Sequence, residues 1–555
     1  MSIFVNEVGY LPSEKKIAIL KSETDFTVVD AVNGNEVYKG HTTKVLDKMD
    51  AASGDDTFIA DFSDLKGDGS YYIVAADNDK SPCFEIKEHV YRDLKNAMQK
   101  ALYFQRCGCE LEEKHAGIYK HKCCHTAPVL TYGTDAKPRI LNGGWHDAGD
   151  FGRYTTAGAV AVAHLLYAYE LMPESFTDEI NIPESGNGIS DLLNECRYEL
   201  DFLIQMQRED GGVYHKLTSW RHAPFVMPEE DDLQFYLYPV SSMAVGDFVG
   251  IMALASRVYK SVDANFSKRT FEAAKKSYKY LMEHPEFKDF KNPEDSGTGE
   301  YNDEQSMDLD ERMWAAAEML SEDTEASAEE LSHYMKSIEA GLGKIDRLTE
   351  MGWSNVSGLA GLALLSLYER TKKLAKDTDD VRTSAIEEYG KAYRDLFVAE
   401  AERLISLESQ SGYLLSMDAK DFIWGSNMVV CNRGMVLITA YRLTGEDKYK
   451  DAALNMLHYL LGRNAMGVSY VTGFGEHAFK NPHNRPTAMD GIDDPMPGWV
   501  SGGPNGRPCD EDALKCIPEG APPMKCYADV VGGYSVNEIT IYWNSPAIYI
   551  AAFFD

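Results

Sequence analysis

Basic residues are scarce in this chain. Its 55 lysines and arginines stand against 88 aspartates and glutamates, a formal net charge of −33 over 555 residues. So acidic a surface repels nucleic acid and anionic membranes and leaves a neutral or cationic partner as the expectation. Long apolar runs are missing too. The longest, within residues 157–172, is interrupted by His164, Tyr167 and Glu170 and is too short and too polar to span a bilayer. The opening Met1-Ser2-Ile3-Phe4-Val5-Asn6 has neither the basic start nor the apolar core of a secretory signal. The expected location is cytoplasmic if the chain is complete at its N-terminus, and secreted if a signal peptide was removed. Ten cysteines are too thinly spread for a disulfide scaffold. The absence of a short repeat period argues against an open solenoid.

Two regions differ in hydrophobic period. Up to about residue 85 the pattern is short and β-like, with strands expected at 16–20, 27–31, 36–39, 57–61 and 71–75. Asn33-Gly34-Asn35 and Lys66-Gly67-Asp68-Gly69 are turn signals between them. Five or more such strands predict a small β-sandwich over residues 1–87. From Tyr91 the period becomes helical. About twelve amphipathic stretches follow, among them 91–106, 189–207, 243–259, 271–282, 312–320, 359–370, 428–443 and 539–553. They predict a toroid of helix pairs over residues 88–555, with function in the long loops 210–240 and 475–535.

The chemistry concentrates in three segments. Gly143-Gly144-Trp145-His146-Asp147-Ala148-Gly149-Asp150 puts two carboxylates three residues apart on a tight turn beside an indole. Two acids so close cannot both be desolvated and ionised cheaply, so they must be solvated, paired or put to work on a water. Near the C-terminus, Tyr527-Ala528-Asp529 leads through Tyr534 to Asn537-Glu538-Ile539-Thr540 and Asn544-Ser545. Glu538 there is either a partner for the start of the last helix or, among Tyr534, Asn537 and Trp543, a carboxyl with a raised pKa that donates a proton. Segment 469–485 ends in Pro482-His483-Asn484-Arg485, where His483 and Arg485 on an extended stretch would offer one row of donors to sugar hydroxyls; Arg485 alone also suits a structural salt bridge. Of the aromatics flanking the loops (Trp145, Trp220, Phe225, Tyr301, Trp424 and Trp543), Trp145, Trp424 and Trp543 are the expected sugar platforms. Cys107, Cys109, Cys123 and Cys124 crowd one segment with His121 and His125, a combination that invites a metal.

These motifs resemble glycoside hydrolase family 9, in the subgroup with an N-terminal immunoglobulin-like domain. Phe4-Val5-Asn6-Glu7-Val8-Gly9-Tyr10-Leu11-Pro12 resembles that domain's opening strand, and the Gly143–Asp150 turn resembles the family's catalytic-base motif. Segment 469–485 resembles its histidine motif. Tyr527, Asp529, Tyr534, Glu538, Thr540, Asn544 and Ser545 fit the acid motif. The resemblance implies an (α/α)6 barrel behind the sandwich and single-displacement, inverting hydrolysis of β-1,4-glucosidic bonds in cellulose-like glucans or cellodextrins. It implies Asp150 as general base, Asp147 as orienter of the water and Glu538 as general acid, with Trp145, Trp424, His483, Arg485, Tyr534 and Trp543 binding substrate. An exo-acting β-glucosidase or exo-β-glucosaminidase of the same family is the alternative, and a non-catalytic sugar-binding protein on the same scaffold the third. The family usually has Asn, Lys or Arg where this chain has His477, a departure that bears on sugar preference. The subgroup's structural zinc would fall on Cys107, Cys124, His125 and His146, a closed tetrahedral site, with Cys109 and Cys123 as rivals for the thiolate positions. Its calcium would fall on Ser306, Asp310 and Glu311, where Ser354-Asn355 replaces a further carboxylate and a solvated helix start is the competing reading. No protein partner is expected.

Overall fold

The computed structural model describes residues 2–76, 78–294, 296–302, 307–373 and 380–555. The chain divides into two compact units, Met1–Ala101 with Glu400–Asp555, and Leu102–Ala399.

In the first unit, nine short strands form two sheets. The strands are β1 (Ile3–Phe4), β2 (Gly9–Tyr10), β3 (Ile17–Leu20), β4 (Asp25–Asp30), β5 (Glu36–His41), β6 (Thr43–Lys44), β7 (Phe58–Asp61), β8 (Gly69–Ala75) and β9 (Phe84–Ile86). They pair in the orders β1-β3-β7-β6 and β2-β9-β8-β4-β5. All five expected strands are present. The alternation of β8, with Tyr71, Ile73 and Ala75 inward, shows why a period of two was legible. Those side chains join Leu20, Phe26, Val28, Phe62 and Phe84 in the sandwich core. The sandwich is fastened to the C-terminal part of the same unit by polar contacts. Asn6 Nδ2 lies 2.9 Å from His458 Nδ1, Glu7 N–H donates to Leu461 O (2.8 Å), and Tyr413 Oη donates to Asp55 (2.9 Å). The departure at His477 has its place here. Its backbone N–H donates to the buried Glu7 carboxylate at 2.7 Å, and its ring Nδ1 stands 3.2 Å from the other oxygen.

Twelve helices of thirteen residues or more occur among the described residues. In the second unit they alternate in character. Thr155–Leu171, Ser242–Tyr259 and Leu309–Glu322 are buried on nearly every side. Asp191–Gln205, Ala264–Glu283 and Ala328–Lys344 are amphipathic and cover them. Small residues allow the close approach: a side chain at Gly250 would meet the Trp314 ring at 2.5 Å. In the first unit Ser426–Thr444 packs on Asp447–Leu460 and Ile541–Phe553. None of the helices among the described residues is long and apolar enough to cross a membrane.

A third sheet carries the site. β10 (Leu130–Thr131), β11 (Arg153–Tyr154), β12 (Lys216–Ser219) and β13 (Phe235–Leu237) pair in the order β10-β13-β12-β11. β11 follows Asp150 directly, so this sheet ties the paired acids to loop 210–240.

Candidate active site and metal centre

The Gly143–Asp150 turn is held from behind. Gly144 has φ +79, and a Cβ there would meet the Phe202 ring at 2.6 Å, so only glycine fits. Trp145 N–H donates to Glu199 (2.6 Å) and its indole N–H to Glu195 (2.8 Å), both from Asp191–Gln205. Trp145 is 1% exposed. Its ring has no open face for a sugar, which corrects the platform expected from its place in the motif.

The two acids have different surroundings. Asp147 is buried, and its Oδ2 accepts the Tyr301 hydroxyl at 2.5 Å, while Oδ1 has no partner among the described residues. Burial pushes its pKa well above the usual carboxylate range. The Tyr301 hydrogen bond opposes this, and the charges of Asp150 and Glu199 add to it. Asp150 Oδ2 accepts from Gly152 N–H (3.0 Å) and lies 3.2 Å from His222 Nδ1. Tyr301 and His222 were not singled out for this role, because they reach the turn from 154 and 72 residues away in sequence. The signal that could have found His222 was its place in a loop already marked as functional.

Beneath the acids, Lys216 is fully buried. Its Nζ donates to Asn292 Oδ1 (2.6 Å), Thr298 Oγ1 (2.9 Å) and Gly299 O (2.6 Å), and it faces the Tyr238 ring at 4.7 Å. Burial pulls its pKa down to about 7, against the pull of Asp150 and Glu300. His215 Nε2 lies 2.6 Å from Glu300 O. Lys216 and His215 thereby anchor the segment that delivers Tyr301.

In the other unit, Glu538 lies between the short helix Tyr534–Asn537 and the last helix, Ile541–Phe553. Thr540, not Glu538, caps that last helix, accepting from Trp543 N–H at 3.2 Å. Glu538 is half-buried and forms a parallel backbone bridge with His483. His483 Nδ1 lies 2.7 Å from Val531 O, and its ring stands 5.8 Å from Tyr534. Asn537 faces away from the acid, into Tyr527 Oη (2.6 Å), Asn481 O (2.6 Å) and Asp529 (3.0 Å). The stretch through His483 does not stay extended: Asn484 caps a short helix that Arg485, itself buried, begins. Trp543 is 3% exposed, wedged against Gly425 and Gly502, and is a packing residue, which corrects its reading as a platform. Trp424 is 46% exposed and 5.4 Å from the Tyr534 ring.

Cys107, Cys124, His125 and His146 bring one ligand atom each within 4.8 Å of one another. Cys107 Sγ is 3.6 Å from His125 Nδ1, and His146 Nε2 is 3.3 Å from the same nitrogen. His125 Nε2 is 3.2 Å from Asp231, a carboxylate behind a would-be ligand that fixes the ring. Burial raises the Cys107 thiol, but the Cys124 hydrogen bond, Arg153 and the two histidines outweigh it and hold it well below the usual thiol range. Cys109, Cys123 and His121 are not in this group. The cluster and the acid turn share backbone: His146 N–H donates to Gln105 O (2.7 Å) and Cys107 N–H to Gly144 O (2.8 Å).

For the second expected metal, Ser306 lies outside the described residues. Asp310 and Glu311 are buried, not a solvated helix start. Asp310 Oδ2 accepts Val356 N–H (2.8 Å) and its side chain also meets that of Glu311, while both oxygens of Asp247 lack partners among the described residues. Asn355 spends its Oδ1 on Ser357.

Residues 91–551 match the family model of glycosyl hydrolase family 9, and residues 1–80 that of the cellulase N-terminal ig-like domain. A cellodextrinase of Butyrivibrio fibrisolvens is 42% identical over 560 residues, covering 99% of this chain and 98% of the relative. The solved structure of AaCel9A in complex with cellobiose-like isofagomine covers 100% of this chain and 99% of its own, with a TM-score of 0.88 at 31% identity. A Zn-binding triple mutant of the family 9 endoglucanase J30 covers 98% of this chain and 99% of its own, with a TM-score of 0.87 at 31% identity. The fold class is accordingly an (α/α)6 barrel preceded by an immunoglobulin-like β-sandwich.

Proposed function

Because the chain belongs to glycosyl hydrolase family 9 and is an inverting hydrolase of β-1,4-glucans, we propose that Asp150 is its general base, Asp147 the orienter of the attacking water and Glu538 its general acid. The observation that carries the assignment is the unequal setting of the paired acids. Asp150 takes the Gly152 N–H and faces His222, donors that favour its ionised form, whereas Asp147 is sealed in and holds one phenolic hydrogen bond. In a single displacement the base takes a proton from water while that water attacks the anomeric carbon. The acid protonates the departing glycosidic oxygen from the opposite face. Glu538, half-buried and fixed through its backbone to His483, suits the second task. Trp424, Tyr534, His483 and Arg485 would line the sugar path beside it. Residues 1–87 would be a non-catalytic support for a catalytic domain over 88–555. The likeness to a cellodextrinase over the full length supports short soluble cellodextrins as substrates.

Two thiols and two imidazoles gathered within 4.8 Å fit zinc, a borderline-soft ion that takes four such ligands. When bound, it would act as a structural clamp with no open position for substrate. Cys107, Cys124, His125 and His146 would hold it, and His146 would pass its rigidity to Asp147. The buried carboxylates of Asp247, Asp310 and Glu311 are hard donors of the kind calcium takes.

The test of the catalytic assignment is Asp150→Asn with and without azide. Loss of cellodextrin hydrolysis that azide partly restores supports Asp150 as base. A variant that hydrolyses at the wild-type rate would remove it.

A further inference from the structure

Gln105 is a buried polar residue that lies outside the segments carrying the acids. It directly follows the helix Arg92–Phe104. Leaving that helix, the chain pairs with the acid turn. Arg106 and Trp145 form an antiparallel bridge, flanked by His146 N–H to Gln105 O (2.7 Å) and Cys107 N–H to Gly144 O (2.8 Å). Side chains alternate across such a bridge, so Gln105 and Cys107 share one face and Arg106 takes the other. On its face Arg106 donates to Glu184 (2.9 Å) and to Glu195 (2.8 Å), which also accepts the Trp145 indole N–H. Cys107 goes to the metal cluster. Gln105 goes to the acids: its Nε2 donates to Ala148 O at 2.8 Å, with both residues buried. A carbonyl only accepts, which orients the amide with its nitrogen inward.

Ala148 sits midway in a closed ring. Asp147 N–H donates to Gly152 O (2.9 Å), and Gly152 N–H donates to the Asp150 carboxylate (3.0 Å). Asp147 has its own supports, the Tyr301 hydroxyl and the bridge at His146. The stretch from Ala148 to Asp150 is neither helix nor strand, so no regular ladder sets its path. The Gln105 amide grips this stretch from outside the ring. Removing that donor would leave a buried carbonyl to seek another partner, and Asp150 would move with it.

We propose that Gln105 is a positioning residue for the hydrolysis: its side-chain amide, bonded to Ala148 O, sets where Asp150 stands relative to Asp147 and so where the base meets the water. The inference rests on the reading of Asp150 as the base. A reacting group displaced by about 1 Å can cost about 10²-fold in rate. A base out of register slows the attack of the water without weakening the hold on the sugar, so kcat carries the loss and KM does not.

The experiment introduces Gln105→Leu and Gln105→Met, close in size and unable to donate, into the wild type and into Asp150→Asn supplied with azide. On cellotetraose each single variant should lose about 10–100-fold in kcat, with KM within about twofold of wild type. Its metal content should equal that of the wild type. In Asp150→Asn the azide replaces the carboxylate, so the placement of residue 150 no longer counts. Adding either Gln105 substitution should then change the azide-supported rate by less than about twofold. A substitution that merely loosens the protein would lower both rates by the same factor, and that result overturns the proposal. So does an unchanged kcat, a loss carried by KM, or a fall in metal content alongside kcat. Failure of both variants to fold would make Gln105 a structural residue and overturn it too. Wild-type turnover by Asp150→Asn without azide would instead remove the base itself, and the proposal with it.

Discussion

Replacing Tyr301 by Phe removes one atom, the hydroxyl that donates to Asp147 Oδ2 at 2.5 Å. Asp147 is buried, and that hydroxyl is the influence that lowers its pKa against burial and the neighbouring charges. A hydrogen bond to a charged group contributes about 1.5–3 kcal/mol. Because about 1.4 kcal/mol corresponds to one pKa unit, the Asp147 pKa should rise by roughly one to two units in the variant. The sign follows: a carboxyl pushed higher is ionised only at higher pH. If the ionised form orients the water, the acidic limb of the kcat profile moves up by the same interval, and kcat at a fixed pH on that limb falls about 10–100-fold. Ring packing is retained, since Tyr301 keeps its neighbours Tyr154 at 4.6 Å and Trp353 at 4.9 Å, so melting should change little. The assay is a kcat and KM series on cellotetraose across pH for both proteins. A limb that stays in place with kcat unchanged would refute the role given to Asp147.

Glu538→Gln should abolish hydrolysis of unactivated cellodextrins, by about 10²–10⁴-fold, while calorimetry still detects binding; aryl glycosides with good leaving groups should suffer less. Cys124→Ser should lose about one zinc per chain by metal analysis and melt earlier, and its activity should fall because His146 adjoins Asp147. Finding no zinc in unchelated wild type would remove the clamp. Deleting residues before Glu88 takes away Glu7, Asn6 and Asp55, with their hydrogen bonds to His477, Leu461, His458 and Tyr413. Such interfaces bury about 600–1,500 Å², so the remainder should be insoluble or less heat-resistant, and a soluble, fully active and equally stable truncation would contradict this.

The parts of this molecule legible in its sequence are those set by local pattern. Strand β8 could be read because Tyr71, Ile73 and Ala75 alternate, and the acid turn because Gly144 and the spacing of Asp147 and Asp150 are contiguous. What could not be read depends on which distant segments meet. Tyr301 and His222 are ordinary loop residues until the fold carries them to the acids. Asp231 behind His125 gives no signal of its own. The choice among four neighbouring cysteines needed geometry, which gathers Cys107 and Cys124 and leaves Cys109 and Cys123 aside. The tryptophans failed for a different reason. Proximity to a motif makes an indole as useful for holding the motif in place as for touching substrate, and Trp145 and Trp543 are used that way. Trp424 and Trp220 stand exposed instead. His477, read as a mark of sugar preference, takes up a hydrogen bond with the sandwich through Glu7.

The central claim, one displacement by a water that Asp150 activates, is tested most directly by the configuration of the first product. NMR of freshly cleaved cellotetraose, recorded before mutarotation, should show the new reducing end as the α-anomer. A β-anomer at the earliest time point would contradict inversion and the division of roles between Asp150 and Glu538.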